Sequence, residues 1–257
     1  MARIISVANQ KGGVGKTTTA VNLSASLALT GETSVLLVDV DPQSNASSSV
    51  GVALEDGQPG IYELLVGETG FDEVVHSTEI DNLKIIPASP ALAGAEIELV
   101  VQEKREKKLL EVLNGQMGRY DFIVIDCPPS LGLLTLNAFT VSKSVLIPMQ
   151  CEYFALQGLS HLLKTLKRVK QSLNPDLVVE GILLTMYDGR TILTNQVRQE
   201  IGHYFKDYLL ETVIPRNIRL SEAPSHGRPV ALYDSLCRGA KSYGELAREI
   251  LKRLNNN

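Results

Sequence analysis

Seven apolar runs are distributed along the chain, and segments with a helical spacing of apolar residues separate them. Most runs are continuous in Val, Ile and Leu, which is typical of strands that are buried on both faces. The pattern therefore predicts a mostly parallel sheet. The predicted strands are RIISVA (3–8), SVLLVDV (34–40), LKIIPA (83–88), YDFIVIDCP (120–128), KSVLIPMQ (143–150), LVVEGILLTMY (177–187) and LLETVIP (209–215).

Helical segments alternate with these strands, and the alternation predicts a doubly wound α/β fold with right-handed crossovers and helices on both faces of the sheet. No internal repeat, low-complexity linker or break in composition marks a second domain. We therefore predict a single domain over residues 1–257. The predicted helices span 16–29, 91–114 with a break near Gln102, 133–141, 156–173, 191–204 and 242–254.

The composition narrows the class of protein. Of the 257 residues, 44% are hydrophobic and 21% are charged, and no apolar run approaches the roughly 18 residues that cross a bilayer. The opening MARIISVANQ resembles no signal or transit peptide, so we expect a cytoplasmic protein. Cys127, Cys151 and Cys237 stand far apart and the four histidines are scattered, so we predict neither a disulfide framework nor a transition-metal site.

Charge is distributed unevenly along the chain. The net charge is −4, which argues against a protein that coats nucleic acid with its whole surface. From Met186 onward, however, 11 Lys and Arg residues stand against 8 Asp and Glu residues. The C-terminal part is the basic part.

The segment KGGVGKTT (11–18) follows the first strand and opens the first helix. In that context glycine-rich backbone amides and a helix N-terminus bind phosphates, Lys16 reaches the β and γ phosphates, and Thr17 supplies a hydroxyl to Mg²⁺. The general phosphate-loop motif has a glycine at position 10, where this chain has Gln10, and Lys11 is a second lysine. The predicted nucleotide contacts are Lys11, Gly12, Gly13, Val14, Gly15, Lys16, Thr17 and Thr18.

Three carboxylates follow strands near this loop. Asp39 and Asp41 end LLVDVD and share one side of the strand or its extension, while Asp126 ends the strand DFIVID. Carboxylates at this edge of a sheet can order Mg²⁺ or orient an attacking water. Asp126 matches a Walker B aspartate and we predict that it binds the metal. An ordinary Asp-Pro turn remains the alternative for Asp41.

These segments resemble the ParA/Soj chromosome-partitioning ATPases. K-G-G-x-G-K-[ST]-T is the deviant Walker A signature of the ParA/MinD class, and similarity extends through LLVDVDPQSNAS, YDFIVIDCPPSLGLLTLNA, GILLTMYDGRT and VIPRNIRLSEAPSHGRPV. The resemblance covers nearly the whole chain. It is greatest to the short form, which lacks an N-terminal helix-turn-helix domain, so site-specific operator binding is not expected.

The resemblance implies roles for individual residues. As in that family, Lys11 would reach the nucleotide of a partner subunit. Without a partner it has no obvious task in its own subunit. Asp41 would activate the attacking water and Asp39 would lie near the metal. Pro215 and Asn217 would contact adenine, with Met186 a weaker candidate. Arg190 and Arg219 would bind DNA phosphates, a contact that needs arginines on one face but no reading of bases.

The function that the resemblance implies is a DNA-partitioning switch with ATP and Mg²⁺ as its ligands. ATP would close a homodimer on non-specific double-stranded DNA, and hydrolysis, slow without a ParB-type partner, would release it from the nucleoid. A MinD-like membrane-positioning ATPase is the alternative, because the segment 242–254 is amphipathic. Its apolar stripe is Tyr243, Leu246, Ala247, Ile250, Leu251 and Leu254. A protein like the nitrogenase iron protein is disfavoured, because the cysteines follow no recognisable cluster pattern. We predict that the helix docks on the sheet and that no membrane is bound.

Overall fold

The computed structural model describes residues 2–152 and 155–254 and contains one eight-stranded sheet. Seven strands coincide with the seven predicted runs. In chain order the strands are β1 (Arg3–Val7), β2 (Val35–Asp39), β3 (His76–Ser77), β4 (Leu83–Ile86), β5 (Phe122–Asp126), β6 (Ser144–Gln150), β7 (Val178–Tyr187) and β8 (Leu209–Pro215).

The strand order across the sheet is β3-β4-β2-β5-β1-β6-β7-β8. All neighbouring strands are parallel except β3, which pairs antiparallel with β4 at one edge. β1 therefore lies inside the sheet between two strands that come much later in the chain. The predicted mostly parallel, doubly wound α/β fold is confirmed.

Helices cover both faces of the sheet. Those of the described residues are α1 (Lys16–Ala28), α2 (Asn45–Ser49), α3 (Ile61–Val66), α4 (Phe71–Val74), α5 (Leu92–Glu98), α6 (Lys108–Asn114), α7 (Leu133–Val141), α8 (Ala155–Ser172), α9 (Ile192–Tyr204), α10 (Arg219–Glu222), α11 (Val230–Tyr233) and α12 (Arg238–Leu254). Short 3₁₀ turns follow at 99–101, 105–107 and 223–226.

The structure confirms one detail of the predicted helices and differs from the prediction in two others. The segment 91–114 is broken as expected, with extended backbone at Gln102 and a left-handed residue at Lys104. α12 begins at Arg238 instead of 242, because its first turn is polar or small and lacks the apolar spacing. The short helices α2, α3, α4, α10 and α11 and the strand β3 were missed, since two to six residues are too few to show a period.

Apolar side chains form a core on each face of the sheet. Successive strand residues point to opposite faces, so Ile4 packs with α3 to α9 while Ile5 packs with α1 and α10 to α12. Both residues are buried, as the continuous apolar runs predict.

α12 lies against α1 and β8, and its apolar stripe is buried. Tyr243, Leu246 and Ile250 are at most 1% exposed, and the hydroxyl of Tyr243 lies 3.1 Å from that of Thr19 on α1. The side chain of Leu254 lies outside the described residues. In this structure α12 is therefore docked on α1 and on the edge of the sheet at β8. None of the helices in the described ranges is long and apolar enough to cross a membrane.

Candidate nucleotide site

The carboxyl ends of three neighbouring strands bring the predicted chemistry together. β5 lies between β1 and β2, and Asp126 at its end is level with Val7 and with Asp39. The loops that follow these strands therefore share one edge of the sheet. This is the edge at which parallel sheets bind ligands.

The phosphate loop connects β1 to α1 and turns through left-handed backbone at Gly13 (φ 73°) and Gly15 (φ 84°). Residues with a Cβ adopt this conformation at a cost, which explains the two glycines. Gly15 is the N-cap of α1, so the first amides of the helix open into the phosphate cleft. We use "phosphate cleft" for the space of about 410 Å³ lined by Gly12, Gly13, Gly15, Lys16, Thr17, Thr18, Asp41, Gln43, Asn45, Pro129 and Met186.

Lys16 is buried in this cleft with 7% of its surface exposed. Its Nζ donates to the carbonyl oxygen of Lys11 over 3.3 Å. Burial lowers the pKa of the Lys16 amine, while the nearby carboxyls of Asp126 and Asp41 raise it. The ammonium is thus desolvated, and phosphate oxygens would supply the partners that water does not.

Asp126 is fully buried, and its two carboxylate oxygens have no hydrogen-bond partner among the described residues. Burial raises the pKa of Asp126 well above its ordinary value, and the charge of Asp39 raises it further. The nearby Thr17 hydroxyl lowers the pKa of Asp126, although it does not form a hydrogen bond of standard geometry with the carboxylate. Two unpartnered oxygens beside a hydroxyl fit a hard cation such as Mg²⁺.

Asp39 is equally buried but its oxygens have partners. Oδ2 accepts from the backbone N and the Oγ of Ser47, at 2.9 and 2.7 Å, and Oδ1 accepts from the N of Asp41 at 3.1 Å. Burial raises the pKa of Asp39 to about 6. Ser47 belongs to α2, and its Oγ also accepts from the N of Ala88. Asp39 therefore fixes the segment that carries Asp41, and its predicted position near the metal stays a prediction.

Asp41 lines the phosphate cleft, 6% exposed, and its Oδ1 accepts from the N of Gln43 at 3.0 Å. This is the turn that an Asp makes with the backbone two residues on, and it fixes the carboxylate. Asp41 therefore both forms the local turn and lines the cleft together with Lys16 and Thr17.

Lys11 is not among the residues that line the cleft, and half of its side chain is exposed. Its ammonium forms an ion pair with Glu152, and its N donates to Oδ1 of Asn9 at 3.0 Å. Lys11 therefore has an ion-pair partner within its own subunit, and its contact with the nucleotide of a partner subunit stays a prediction. Both members are exposed, so such a pair contributes little stability and breaks readily.

A second cavity lies beside the phosphate cleft between the ends of β7 and β8. Pro215 and Asn217, the residues predicted to contact adenine, line this cavity, and the contact with adenine stays a prediction. Oδ1 of Asn217 accepts from the N of Arg219 at 2.8 Å, which leaves the amide NH₂ for a ligand. We call this space of about 100 Å³ the base pocket. Its lining is Gly15, Thr18, Thr185, Met186, Ile214, Pro215, Arg216, Asn217, Leu220, Ser221 and Tyr243.

Two residues that anchor the phosphate loop were missed by sequence reasoning. Nε2 of Gln150 donates to the carbonyl oxygen of Gly13 at 2.7 Å, and Oγ1 of Thr185 donates to that of Val14 at 2.8 Å. Both belong to strands that have no phosphate-binding motif. Only their position at the carboxyl ends of β6 and β7 could have indicated that they lie near the phosphate loop.

Arg190 and Arg219 lie beyond the ends of β7 and β8, with 90% and 47% of their side chains exposed. Each is bonded to carboxylates of its own chain. Arg190 donates to both oxygens of Asp188, at 2.8 and 2.7 Å, and Arg219 pairs with Glu222 at 2.8 Å and Asp234 at 3.2 Å. The sequence did not indicate these acidic partners.

Comparison with known proteins decides the family. A family model described as an AAA domain matches residues 2–179. The chain is 55% identical over 250 residues to the sporulation initiation inhibitor protein Soj of Bacillus subtilis, covering 97% of this chain and 98% of that protein. It is 54% identical to the chromosome partitioning protein ParA of Myxococcus xanthus, covering 98% and 89%. The chain belongs to the ParA/Soj family of chromosome-partitioning ATPases.

A solved structure of similar fold carries ligands of the expected kind. Cobyrinic acid a,c-diamide synthase of Mycobacterium smegmatis, with bound ADP and magnesium, matches with a TM-score of 0.86 and 36% identity. The match covers 99% of this chain and 96% of that one. ParA/Soj proteins thus share their fold with an enzyme whose name refers to a different reaction.

Proposed function

We propose that this protein is an ATP-driven DNA-partitioning switch. ATP closes two subunits into a sandwich dimer, the dimer binds double-stranded DNA without sequence preference, and hydrolysis releases it. The observation that carries the proposal is the opposite placement of the two lysines of the phosphate loop: Lys16 is buried in the cleft and Lys11 is half exposed outside it.

The protein is an ATPase that uses Mg²⁺, in agreement with its family and with the nucleotide-bound relative of the same fold. Thr17 and Asp126 hold the cation, because Asp126 has two buried oxygens without partners. When bound, Mg²⁺ neutralises negative charge on the phosphates. The backbone amides of the loop and Lys16 orient the triphosphate. Residues 1–257 act as a single P-loop ATPase domain.

Lys11 acts across the dimer. The Lys11 side chain is half exposed, and its ammonium pairs with Glu152, whereas Lys16 occupies the cleft of the same subunit. Phosphate oxygens of a nucleotide in the facing subunit can replace Glu152 as the partner of Lys11. ATP then becomes part of the dimer contact, so dimerisation depends on the nucleotide.

Asp41 orients the attacking water in the hydrolysis step. It lines the phosphate cleft, and the turn with Gln43 holds its carboxylate in place. The residues that line the cleft include no arginine, so lysines and backbone amides stabilise the developing charge. The basal rate is therefore slow, and a ParB-type partner accelerates it.

DNA binding uses Arg190 and Arg219. Both are exposed, and Arg219 lies in the chain between Asn217 and Leu220 of the base pocket, where closure around ATP can alter its surroundings. Neutralised phosphates release counterions, which makes the affinity depend on salt but not on sequence. This places the ATP-bound protein on the nucleoid within the cytoplasm.

The test is binding of the Asp41→Ala protein to random-sequence duplex DNA, with ATP and with ADP, over a series of salt concentrations. We expect binding with ATP only, which weakens as salt rises and is lost in the Arg219→Glu variant. Lys170→Glu is the matched control, because it reverses an exposed charge in the last turn of α8, at the opposite end of the sheet.

Absence of DNA binding in both nucleotide states contradicts the proposal, and liposomes then become the next substrate. Equal loss in Arg219→Glu and Lys170→Glu would instead show that only total charge matters. The proposed position of the DNA surface would then be wrong.

A further inference from the structure

The side-chain amide of Gln150 connects two segments of the nucleotide site. Gln150 ends β6 and is half buried. Its Nε2 donates to the carbonyl oxygen of Gly13 at 2.7 Å and lies 2.8 Å from Sδ of Met186. One amide group therefore contacts both the phosphate loop and the end of β7.

The contact with Gly13 has a consequence for the direction of a backbone amide. In a trans peptide the C=O and the following N–H point in opposite directions. When Gln150 holds the carbonyl of Gly13, the N–H of Val14 is directed away from β6. Thr185 holds the carbonyl of Val14 in the same manner and so directs the N–H of Gly15. The two strand ends thereby set the directions of two successive amides in the phosphate loop.

The contact with Met186 occurs at an unusual backbone position. Met186 has a φ of 49°, in the left-handed region that residues with a Cβ rarely adopt. It lies within β7, where the pairing with β8 is irregular between Leu184 and Tyr187. Such a conformation persists only where the surroundings hold it, and the Gln150 contact is one such restraint.

Met186 also lies between the two cavities. It lines both the phosphate cleft and the base pocket, as do Gly15 and Thr18 of the phosphate loop. Met186 is 37% exposed, and a flexible, polarisable sulfur side chain packs well against an aromatic ring. A nucleobase in the base pocket would meet this side chain.

We propose that Gln150 is a positioning residue that couples recognition of the phosphates to recognition of the base. Through Gly13 it directs an amide of the phosphate loop, and through Met186 it fixes one wall of the base pocket. This inference rests on the proposed ATP binding and names a residue outside the phosphate-loop motif.

The experiment compares the affinities for ATP and for inorganic tripolyphosphate, measured by calorimetry or by competition with Mg²⁺ present. In Gln150→Leu we expect ATP affinity to fall about tenfold and tripolyphosphate affinity about threefold, because only ATP also loses its base contact. Gln150→Glu keeps the side-chain length and removes the donor, but its carboxylate adds negative charge beside the phosphates, so it should lower both affinities further than Gln150→Leu does. Gln199→Leu, the same substitution at an exposed position on α9, should change neither affinity.

A second variant isolates the base contact. Met186→Gly removes the side chain and adopts a positive φ without strain, so it should weaken ATP binding and leave tripolyphosphate binding unchanged. In the Met186→Gly background, Gln150→Leu should then lower both affinities by the same factor. This lack of additivity would show that Gln150 acts through Met186.

Two results would overturn the inference. If Gln150→Leu lowers both affinities by the same factor, Gln150 acts on the phosphate loop alone and not on the base pocket. If it changes neither affinity, Gln150 has no role in nucleotide binding. The melting temperatures of the nucleotide-free variants show whether a loss of affinity results from a loss of folded structure instead. Failure of the wild-type protein to bind ATP would instead contradict the proposed function.

Discussion

The charged residues of the phosphate cleft and the arginines beyond β7 and β8 differ in their solvent exposure and in their partners. Lys16, Asp41 and Asp126 are at most 7% exposed, and Asp126 lacks hydrogen-bond partners among the described residues. Arg190 and Arg219, in contrast, are exposed and already bonded to carboxylates of their own chain. A bound cation would therefore give Asp126 its missing contacts, whereas the two arginines would have to exchange the contacts that they already have in order to bind DNA.

This difference predicts effects of different size. An unpaired charge in a buried site costs several kcal/mol, so removing one group there should change binding or rate by orders of magnitude. Exposed pairs are screened by water and salt and typically contribute about 0 to 1 kcal/mol. The following predictions test this contrast from the largest effect to the smallest.

Lys16→Ala should weaken ATP binding by about 100-fold or more, because the triphosphate loses a charged hydrogen bond within a desolvated cleft. Equilibrium titration with ATP and Mg²⁺ measures this. Lys170→Ala removes an exposed lysine far from the cleft and should bind ATP as the wild type does. A loss of less than threefold in Lys16→Ala would mean that the cleft is not the triphosphate site.

Asp41→Ala should reduce the hydrolysis rate by about 10²- to 10⁴-fold, the usual contribution of a group that transfers or orients a proton. ATP binding and dimerisation should persist, since the backbone amides and both lysines remain. Phosphate release assays and sedimentation in saturating ATP measure the two properties. A monomeric Asp41→Ala protein would contradict the role of Lys11 across the dimer.

Asp126→Asn should raise the melting temperature of the metal-free protein by a few degrees, because a buried unpartnered carboxyl is replaced by a neutral group (about 1 kcal/mol). The stabilisation of the wild type by Mg²⁺ should disappear in this variant. Calorimetry with EDTA or Mg²⁺ tests both statements.

The pH dependence of the metal-free protein follows from the same buried carboxyls. Burial raises the pKa of Asp39 from 3.8 to about 6 and that of Asp126 well above its ordinary value. The folded protein therefore keeps protons that the unfolded chain releases, so this contribution favours folding at low pH and is lost as the pH rises from about 4 through 6. The advantage of Asp126→Asn over the wild type should accordingly grow with pH. A constant difference would contradict the assigned burial.

Asp188→Asn should strengthen DNA binding by a modest factor of about two to five at low salt, because Arg190 loses an exposed carboxylate that competes with DNA phosphates. Filter binding of the ATP-bound protein measures the change, and the gain should vanish at high salt. Weaker binding would mean that Asp188 positions Arg190 for DNA instead of competing for it.

The sequence predicted the phosphate half of the site better than the rest. A glycine-rich loop between a strand and a helix has few functions, and strand alternation placed Asp39, Asp41 and Asp126 at one edge of the sheet. The contacts of Gln150 and Thr185 join strands that are distant in sequence, so no local pattern contains them. Likewise, the pairing of Arg219 with Asp234 depends on how α10 and the segment after α11 pack.

The sequence predicted long helices better than short ones. Long segments such as α8 and α9 carry the spacing of a buried stripe and were predicted within a residue or two at each end. The short helix α2 depends instead on the hydrogen bonds between Ser47 and Asp39. A five-residue helix has too little of its own stability to leave a signal in the sequence.

The order of strands in the sheet has a consequence for the way the chain folds. The phosphate loop is synthesised before the segments that surround it, because β1 pairs with β5 and β6, and α1 packs against α12, all of which come later in the chain. The loop between β1 and α1 therefore reaches its final surroundings only after α12 has been synthesised. Contacts of such long range close slowly, because a large loop must be ordered before they form. A newly made chain should thus acquire nucleotide binding as one of its last properties.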